Sequence, residues 1–167
     1  DLGSSTGGFT DCMLQSGARS VTCVDVGRGQ LHGKLREDER VHVREGLNAR
    51  HLEAKDLPLS AYDMVTMDLS FISLRKTLEK AWSFLLPGGK LIALIKPQFE
   101  ATKQEADAGR GIIRDPQIHR RVVKEICEFV DERLNESQLF GQMQSPLRGV
   151  GGNVEFLLGW KKASAGN

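Results

Sequence analysis

The chain has 167 residues, with 23 Lys or Arg and 22 Asp or Glu, so its formal net charge is +1. This length fits one domain with its own core, and 40% apolar and 27% charged residues are ordinary for a globular protein. The balanced charge gives no overall attraction to nucleic acid, and the longest apolar run, residues 91–95, is far below the ~20 residues that span a bilayer.

The chain begins with a glycine-rich segment, Asp1-Leu-Gly-Ser-Ser-Thr-Gly-Gly-Phe-Thr-Asp11. Asp1 is predicted to end a strand, and a helix over residues 7–16 follows, with Gly17 as its C-cap. Small residues between a strand and a helix let a ligand approach the backbone. The spacing is not the G-x-G-x-x-G of dinucleotide sites, and a carboxylate at the turn attracts an ammonium or sulfonium but repels a pyrophosphate. The segment therefore favours S-adenosylmethionine over NAD.

The same segment suggests that the chain is incomplete. No initiator Met is present, and no apolar stretch precedes Asp1 to form the body of the strand that it should end. That strand would be the central strand of the sheet. We therefore expect residues 1–167 to be one domain of a longer protein, with its first strand largely missing.

Strands and helices are predicted to alternate along the rest of the chain. The apolar patterns predict strands at residues 20–25, 41–43, 62–68 and 90–95, and helices at residues 74–86 and 116–134. Residues 97–115 show little periodicity and are predicted to form a long loop, while residues 137–143 and 153–160 should form a closing antiparallel pair. The repeated units predict an α/β fold with a doubly wound, mostly parallel sheet and ligands at the carboxyl ends of its strands.

Charged residues stand where the parallel strands should end. Asp1, Asp25, Asp68 and Lys96 all occupy such positions, and these ends converge on one crevice. Asp25 lies near the place, about 20 residues beyond the glycine loop, where nucleotide-binding folds put the acid that binds ribose hydroxyls. The alternative is that the Asp residues cap turns and that Lys96 only extends its ammonium to solvent. Glu155, in a mostly apolar stretch, needs a partner if it is buried.

These positions define a candidate cofactor site. Gly3 and the Gly7-Gly8 pair should let a methionine moiety approach the backbone, and Asp1 should face its ammonium. Asn48 is a candidate for the adenine and equally a turn residue, and Phe9 either lines the pocket or packs in the core. The candidate set is Asp1, Gly3, Ser4, Thr6, Gly7, Gly8, Phe9, Asp25, Asn48 and Asp68.

Several motifs act together as a family signature. They are residues 1–11, Met67-Asp-Leu-Ser-Phe-Ile-Ser73, Leu94-Ile-Lys-Pro-Gln-Phe-Glu100, Arg114-Asp-Pro116 with His119, and Ser145-Pro-Leu with Gly151-Gly-Asn-Val-Glu-Phe156. In combination they resemble the TlyA family, the hemolysin-like ribosomal RNA methyltransferases related to FtsJ-type ribose methyltransferases. The resemblance covers essentially the whole chain and implies a Rossmann-like fold that uses S-adenosylmethionine.

The resemblance implies methyl transfer to a ribose 2′-hydroxyl of ribosomal RNA, free or within a ribosomal subunit. The catalytic set of the family is Lys-Asp-Lys-Glu, and Asp68, Lys96 and Glu155 match its last three members. The first Lys and an S4-type RNA-binding domain would lie upstream of Asp1. Lys96, as a neutral amine, is predicted to take the hydroxyl proton, while Asp68 and Glu155 position it.

Further cations and histidines are weaker candidates. The residues that either contact RNA phosphates or form a solvated face are Lys103, Arg110, Arg114, Arg120 and Arg121. His119 is predicted to be structural rather than a proton carrier. His32, His42 and His51 lack metal-ligand spacing, and Cys12, Cys23 and Cys127 lack a C-x-x-C pair, so we expect no metal site and a cytoplasmic protein with reduced thiols.

Three other classes of protein compete with this interpretation. A membrane-active hemolysin is disfavoured because no apolar segment is long enough to span a bilayer. A non-catalytic RNA-binding or nucleotide-binding module would not require the set of Asp68, Lys96 and Glu155. An NAD-dependent enzyme is disfavoured by the glycine spacing and by Asp1.

Overall fold

The computed structural model describes residues 1–164. Within them the strands are β1 (Val21–Asp25), β2 (Val41–Glu45), β3 (Tyr62–Met67), β4 (Leu85–Ile95), β5 (Ser137–Gln144) and β6 (Phe156–Lys162). The α-helices are α1 (Gly8–Gln15), α2 (Gly33–Arg36), α3 (Leu78–Ser83), α4 (Pro97–Glu100), α5 (Lys103–Ala108) and α6 (Pro116–Arg133). Short 3-10 turns occupy Ala49–His51, Ala54–Asp56, Leu74–Lys76 and Val150–Gly152.

Leu2 joins the two halves of the sheet. It forms parallel bridges to Val24 of β1 and to Met67 of β3, which gives the strand order β2-β1-Leu2-β3-β4-β6-β5. The β1–β2 and β3–β4 pairs are parallel, whereas β6 runs antiparallel to both β4 and β5. The predicted α/β class and the closing antiparallel pair are therefore confirmed. Residues 1–3 lie at the centre of the sheet, where the sequence predicts the end of a strand.

Both faces of the sheet are covered. Cys23 belongs to an apolar cluster with Leu14 and Leu35, from α1 and α2, whereas the adjacent Val24 belongs to the larger cluster that contains Ile126 of α6. Successive side chains of a strand point to opposite faces. The helices therefore lie on both sides of β1, as a doubly wound sheet requires.

The helix α6 begins and buries its apolar face as the sequence predicts. The Asp115 side chain accepts a hydrogen bond from the Gln117 amide, and Pro116 fills the first helical position, where no amide hydrogen is needed. Val122, Ile126 and Val130 recur every four residues and are fully buried. Burying each such side chain stabilises the fold by roughly 1.5–3 kcal/mol relative to leaving it exposed to water.

Two predicted segments differ in the structure. The helix predicted for residues 74–86 is a 3-10 turn followed by α3, which ends at Ser83. Leu85 instead pairs with Tyr62 of β3, and an irregularity in register between Tyr62 and Met64 accommodates Pro87-Gly88-Gly89 inside β4. Strand pairing thus overrides the local preference of a Pro-Gly-Gly sequence for a turn.

The predicted loop over residues 97–115 contains α4 and α5. A capping box between Thr102 and Glu105 starts α5, and this local signal was available in the sequence. Glu155 was predicted within a strand, but it precedes β6, which begins at Phe156. The reason is that the Asn153 side chain holds Ile113 and Gly111 of the facing loop, so the chain turns there before it joins the sheet.

All three cysteines are free. Burial raises the pKa of the Cys23 and Cys127 thiols, whereas Cys12 is exposed. Within residues 1–164, no group of His, Cys, Asp and Glu side chains is placed to hold a metal ion. Over the same residues, none of the helices combines the length and the apolar character that crossing a membrane demands.

Gly7 provides a test of the packing between α1 and α2. Its φ is +102°, and a Cβ there would lie 2.2 Å from Cδ1 of Leu35. We expect Gly7→Ala to lower the free energy of unfolding by about 1–3 kcal/mol, because it combines backbone strain with overpacking. Urea denaturation measures the change.

Gly8 is the matched control for Gly7. Gly8 has no heavy atom within 4 Å of an added Cβ, and it lies inside α1. Gly8→Ala should leave stability unchanged or raise it by up to ~1 kcal/mol, since Ala favours a helix. Equal unfolding midpoints for the two variants would contradict the packing role of Gly7.

Candidate functional site

A cleft of about 360 Å³ opens at the carboxyl ends of β1 and β3. Its walls come from the turn after Leu2, from residues 25–26 and 47–49, and from the loop of residues 68–73, which we call the Asp68 loop. The volume is in the range of small-molecule sites. The position is the one where ligands bind in open α/β sheets.

Gly3 lets the two central walls of the cleft touch. Its φ is +78°, and a Cβ there would lie 2.3 Å from the backbone oxygen of Asp68. The Asp68 amide in turn donates to the Leu2 carbonyl at 2.9 Å. A side chain at residue 3 would push the Asp68 loop away, so the predicted need for glycine here has a structural cause.

Asp25 connects two of the walls. Its Oδ2 accepts from the Ser5 amide at 2.8 Å, and its Oδ1 accepts from the Gly27 amide at 2.7 Å. The side chain therefore caps its own turn and also faces the cleft, so the two alternatives for Asp25 are not exclusive. Each oxygen keeps a further lone pair for a ligand hydroxyl.

Asp1 lies outside the cleft walls and holds the scaffold together. Its Oδ2 accepts from the amide and the hydroxyl of Thr10, at 3.1 and 2.7 Å, and its Oδ1 accepts from the Thr66 hydroxyl at 3.0 Å. These bonds tie α1 to β3 across the central segment. A contact between Asp1 and a ligand ammonium stays a prediction.

The remaining candidates divide between the cleft and the scaffold. Asn48 lies in the cleft wall, and its Oδ1 also caps the Arg50 amide. The candidates that do not line the cleft are Ser4, Thr6, Gly7, Gly8 and Phe9. The sequence reasoning missed the wall residues Ser5, Val26, Gln30, Leu69, Ser70 and Phe71. Ser5, Leu69, Ser70 and Phe71 lie within the signature motifs quoted above, which was the signal that could have found them.

Lys96 and Asp68 form an ion pair at the edge of the cleft. The Lys96 Nζ lies 2.6 Å from Oδ1 of Asp68 and donates to the Ser70 hydroxyl at 3.0 Å. The Lys96 side chain is only 12% exposed. Lys96 follows the last residue of β4, so the buried strand fixes its stem while Asp68 and Ser70 orient its amine.

Glu155 contacts Gln98, which lies two residues after Lys96 in the chain. Glu155 is 6% exposed, and its Oε1 accepts from Nε2 of Gln98 at 3.0 Å. A Cβ on Gly149 would lie 2.1 Å from the same oxygen, so a side chain there would displace the Glu155 carboxylate. Oε1 of Gln98 is buried and has no hydrogen-bond partner within residues 1–164. Gln98 had no assigned role in the sequence reasoning.

The basic residues near the site are partly neutralised. Arg121 pairs with Glu105 at 2.6 Å and with Glu125 at 3.1 Å. The other candidate cations are exposed: Lys103, Arg110, Arg114 and Arg120. Nε2 of the buried His119 lies 2.8 Å from the Ile113 carbonyl oxygen, which supports the predicted structural role.

Comparison with known proteins identifies relatives of this chain. The family described as FtsJ-like methyltransferase matches residues 1–162. YqxC of Bacillus subtilis is 46% identical over 159 residues, which are 95% of this chain and 55% of YqxC. The 16S/23S rRNA (cytidine-2′-O)-methyltransferase TlyA of Mycobacterium tuberculosis is 41% identical over 158 residues, which are 95% of this chain and 58% of TlyA.

A solved structure of a hemolysin-named protein from Streptococcus thermophilus is also similar. It superposes with a TM-score of 0.91 at 41% identity, covering 99% of this chain and 58% of that one. The chain thus spans just over half the length of the curated relatives above. The resemblance to TlyA inferred from the motifs is confirmed, and the chain belongs to the FtsJ-like methyltransferase family.

Proposed function

We propose that the chain is the catalytic domain of an enzyme that transfers a methyl group from S-adenosylmethionine to a ribose 2′-hydroxyl of ribosomal RNA. The observation that carries the proposal is the Lys96–Asp68 ion pair, 2.6 Å long, at the edge of a cleft of nucleoside size. The names of relatives such as TlyA supply the substrate class. Such an enzyme would work in the cytoplasm, on free RNA or on a ribosomal subunit.

The cleft fits S-adenosylmethionine. Gly3 lines the cleft beside the Asp68 loop, where the methionine part would lie, and Asp25 presents carboxylate lone pairs to the ribose hydroxyls. Val26 is 71% exposed and, with Leu47 and Ala49, offers an apolar surface to a purine. When bound, the cofactor supplies a methyl group activated by a positively charged sulfur.

Lys96 is suited to hold and remove the proton of the attacking hydroxyl. A neutral amine has two N–H groups and one lone pair. Oδ1 of Asp68 lies 2.6 Å from Nζ and the Ser70 hydroxyl accepts from Nζ at 3.0 Å, so both fix the position of the amine, whose lone pair in the neutral form is the proton acceptor. A base placed in this way typically contributes 10²–10⁴-fold to a rate, roughly.

Asp68 and Glu155 position the reacting groups in this proposal and do not abstract the hydroxyl proton. Asp68 lies 2.6 Å from the Lys96 amine, and Glu155 accepts a hydrogen bond from Gln98, two residues after Lys96 in the chain. Alignment of the hydroxyl with the methyl carbon is expected to supply much of the remaining rate. An upstream Lys and an upstream S4-type RNA-binding domain remain part of the proposal for the whole protein.

Exposed residues of the cleft wall and of the segment 110–114 offer contacts to RNA. Phe71 is 91% exposed and has a φ of +64°. Exposed aromatic rings stack with unpaired bases in RNA complexes. The exposed Arg110 and Arg114 can contact phosphates. These features favour a nucleotide, rather than a small molecule, as the methyl acceptor.

The first test concerns Lys96. We expect Lys96→Ala in the full-length protein to lower methyl transfer to unmethylated ribosomal subunits at least ~100-fold, because the base is lost. S-adenosylmethionine should bind as before, by calorimetry. Label from radioactive cofactor, located at ribose 2′-O positions, measures transfer. Undiminished label in the variant would refute the role of Lys96.

Asp25 tests the cofactor site. Asp25→Ala should raise the Kd for S-adenosylmethionine roughly 10-fold or more, since hydrogen bonds to a charged group contribute about 1.5–3 kcal/mol. Asp25→Asn keeps one acceptor oxygen, so its Kd should fall between the values for Asp25→Ala and for the wild type. An unchanged Kd for both would remove Asp25 from the site.

Phe71 tests the RNA contact. Phe71→Ala should lower kcat/KM for RNA about 10-fold, because stacking on an aromatic ring contributes roughly 1–3 kcal/mol. Phe140→Ala is the control, since Phe140 is also an exposed aromatic residue, at 51%, but lies on β5. Steady-state kinetics should show a change in the first variant alone. Equal losses in both would argue against a stacking role.

A further inference from the structure

Two segments that carry the proposed catalytic groups run side by side. The first is the Asp68 loop, and the second runs from Lys96 through α4. Lys96 contacts Asp68 and Ser70, and the rings of Phe99 and Phe71 lie 5.1 Å apart. Glu100 then contacts Ser73 and Leu74. The contacts advance along both segments together, so each segment fixes the course of the other.

Glu100 forms the last of these contacts. Its Oε2 accepts from the Ser73 hydroxyl and its Oε1 accepts from the Leu74 amide, both at 2.6 Å. Glu100 is 7% exposed, and Leu74 is 2% exposed within the main core. The carboxylate thus attaches the far end of the Asp68 loop to a rigid part of the molecule.

The loop needs such an attachment because its backbone is strained. Phe71 is not glycine, yet its φ of +64° lies in the left-handed region, which disfavours side chains. Strain of this kind persists only where the surroundings hold the residue in place. Here the loop is held by Lys96 on one side of Phe71 and by Glu100 on the other.

Glu100 is an unfavourable choice for stability alone. Burial raises the pKa of its carboxyl group, which means that the ionised form is disfavoured in the folded chain. Its two direct partners are a hydroxyl and an amide rather than a cation. We therefore expect the role of this buried carboxylate to be the orientation of the groups that donate to it.

We propose that Glu100 is a positioning residue for methyl transfer. By anchoring Ser73 and Leu74 it holds the Asp68 loop so that Asp68 and Ser70 orient the Lys96 amine and Phe71 stays at the cleft mouth. The catalytic part of this inference rests on the proposed function. The structural part, an anchor that fixes the Asp68 loop, does not.

The test compares Glu100→Ala with Glu100→Gln in the full-length protein. We expect Glu100→Ala to speed hydrogen–deuterium exchange of peptides covering residues 69–75 about 10-fold and to lower kcat about 10- to 100-fold, since small misplacements of reacting groups are costly. Glu100→Gln keeps an acceptor for the Leu74 amide and a donor for the Ser73 hydroxyl. It should restore both readouts to within about threefold of the wild type.

Two further variants control for general loss of structure. Asp38→Ala removes a carboxylate that accepts three hydrogen bonds from Arg40, far along the chain from the Asp68 loop, and should change neither readout. Ser73→Ala removes one of the two bonds to Glu100, together with the cap on the Arg75 amide, and should give an intermediate result. It keeps the test decisive if Glu100→Ala fails to fold.

The outcomes separate this inference from the proposed function. Unchanged exchange of residues 69–75 in both Glu100→Ala and Ser73→Ala overturns the anchor, whether or not the protein methylates RNA. Faster exchange of residues 69–75 in Glu100→Ala, together with an unchanged kcat, overturns the positioning role. A wild-type protein that does not methylate ribosomal RNA refutes the proposed function, while the exchange result still decides the anchor.

Discussion

The pairing of Leu2 with two strands at once is the interaction on which the rest of the structure depends. Towards β3, the Leu2 amide donates to the Thr66 carbonyl and the Asp68 amide donates to the Leu2 carbonyl. Towards β1, the Gly3 amide donates to the Val24 carbonyl and the Val24 amide donates to the Asp1 carbonyl. Without these bonds, β1 and β3 would be linked by no backbone hydrogen bonds in the described residues, and the contact between the Thr22 and Tyr62 hydroxyls at 3.1 Å would remain. Asp1 strengthens the junction because its carboxylate accepts from Thr10 and Thr66.

The functional cleft is a consequence of this junction. Because parallel strands end at one edge, pairing through Leu2 brings the ends of β1 and β3, and hence Asp25 and Asp68, to the two sides of Gly3. The glycine then permits the contact between its turn and the Asp68 loop. The candidate cleft and Lys96, the proposed proton acceptor, therefore share one wall, since Asp68 lines the cleft and pairs with Lys96.

Much of the site could be predicted from the chain because it depends on local patterns. The residues at strand ends, Asp25, Asp68 and Lys96, follow from strand periodicity, and the helix start at Asp115 follows from cap chemistry. The catalytic role proposed for Glu155 came from motif resemblance, since strand periodicity gives it no place in the site. The wall residues Ser5 and Phe71 were missed because exposure and left-handed backbone are not encoded in composition.

By itself, the sequence determined the α/β class, the glycine turn and the acids that border it, since these depend on periodicity and on local backbone geometry. Only the tertiary structure decided that Pro87-Gly88-Gly89 lies inside β4, that Gly7 packs against Leu35, and that Glu100 holds Ser73 and Leu74. Each of these depends on a partner distant in sequence. The physical reason is that pairing and packing energies arise between segments, and no local pattern contains both members of such a contact.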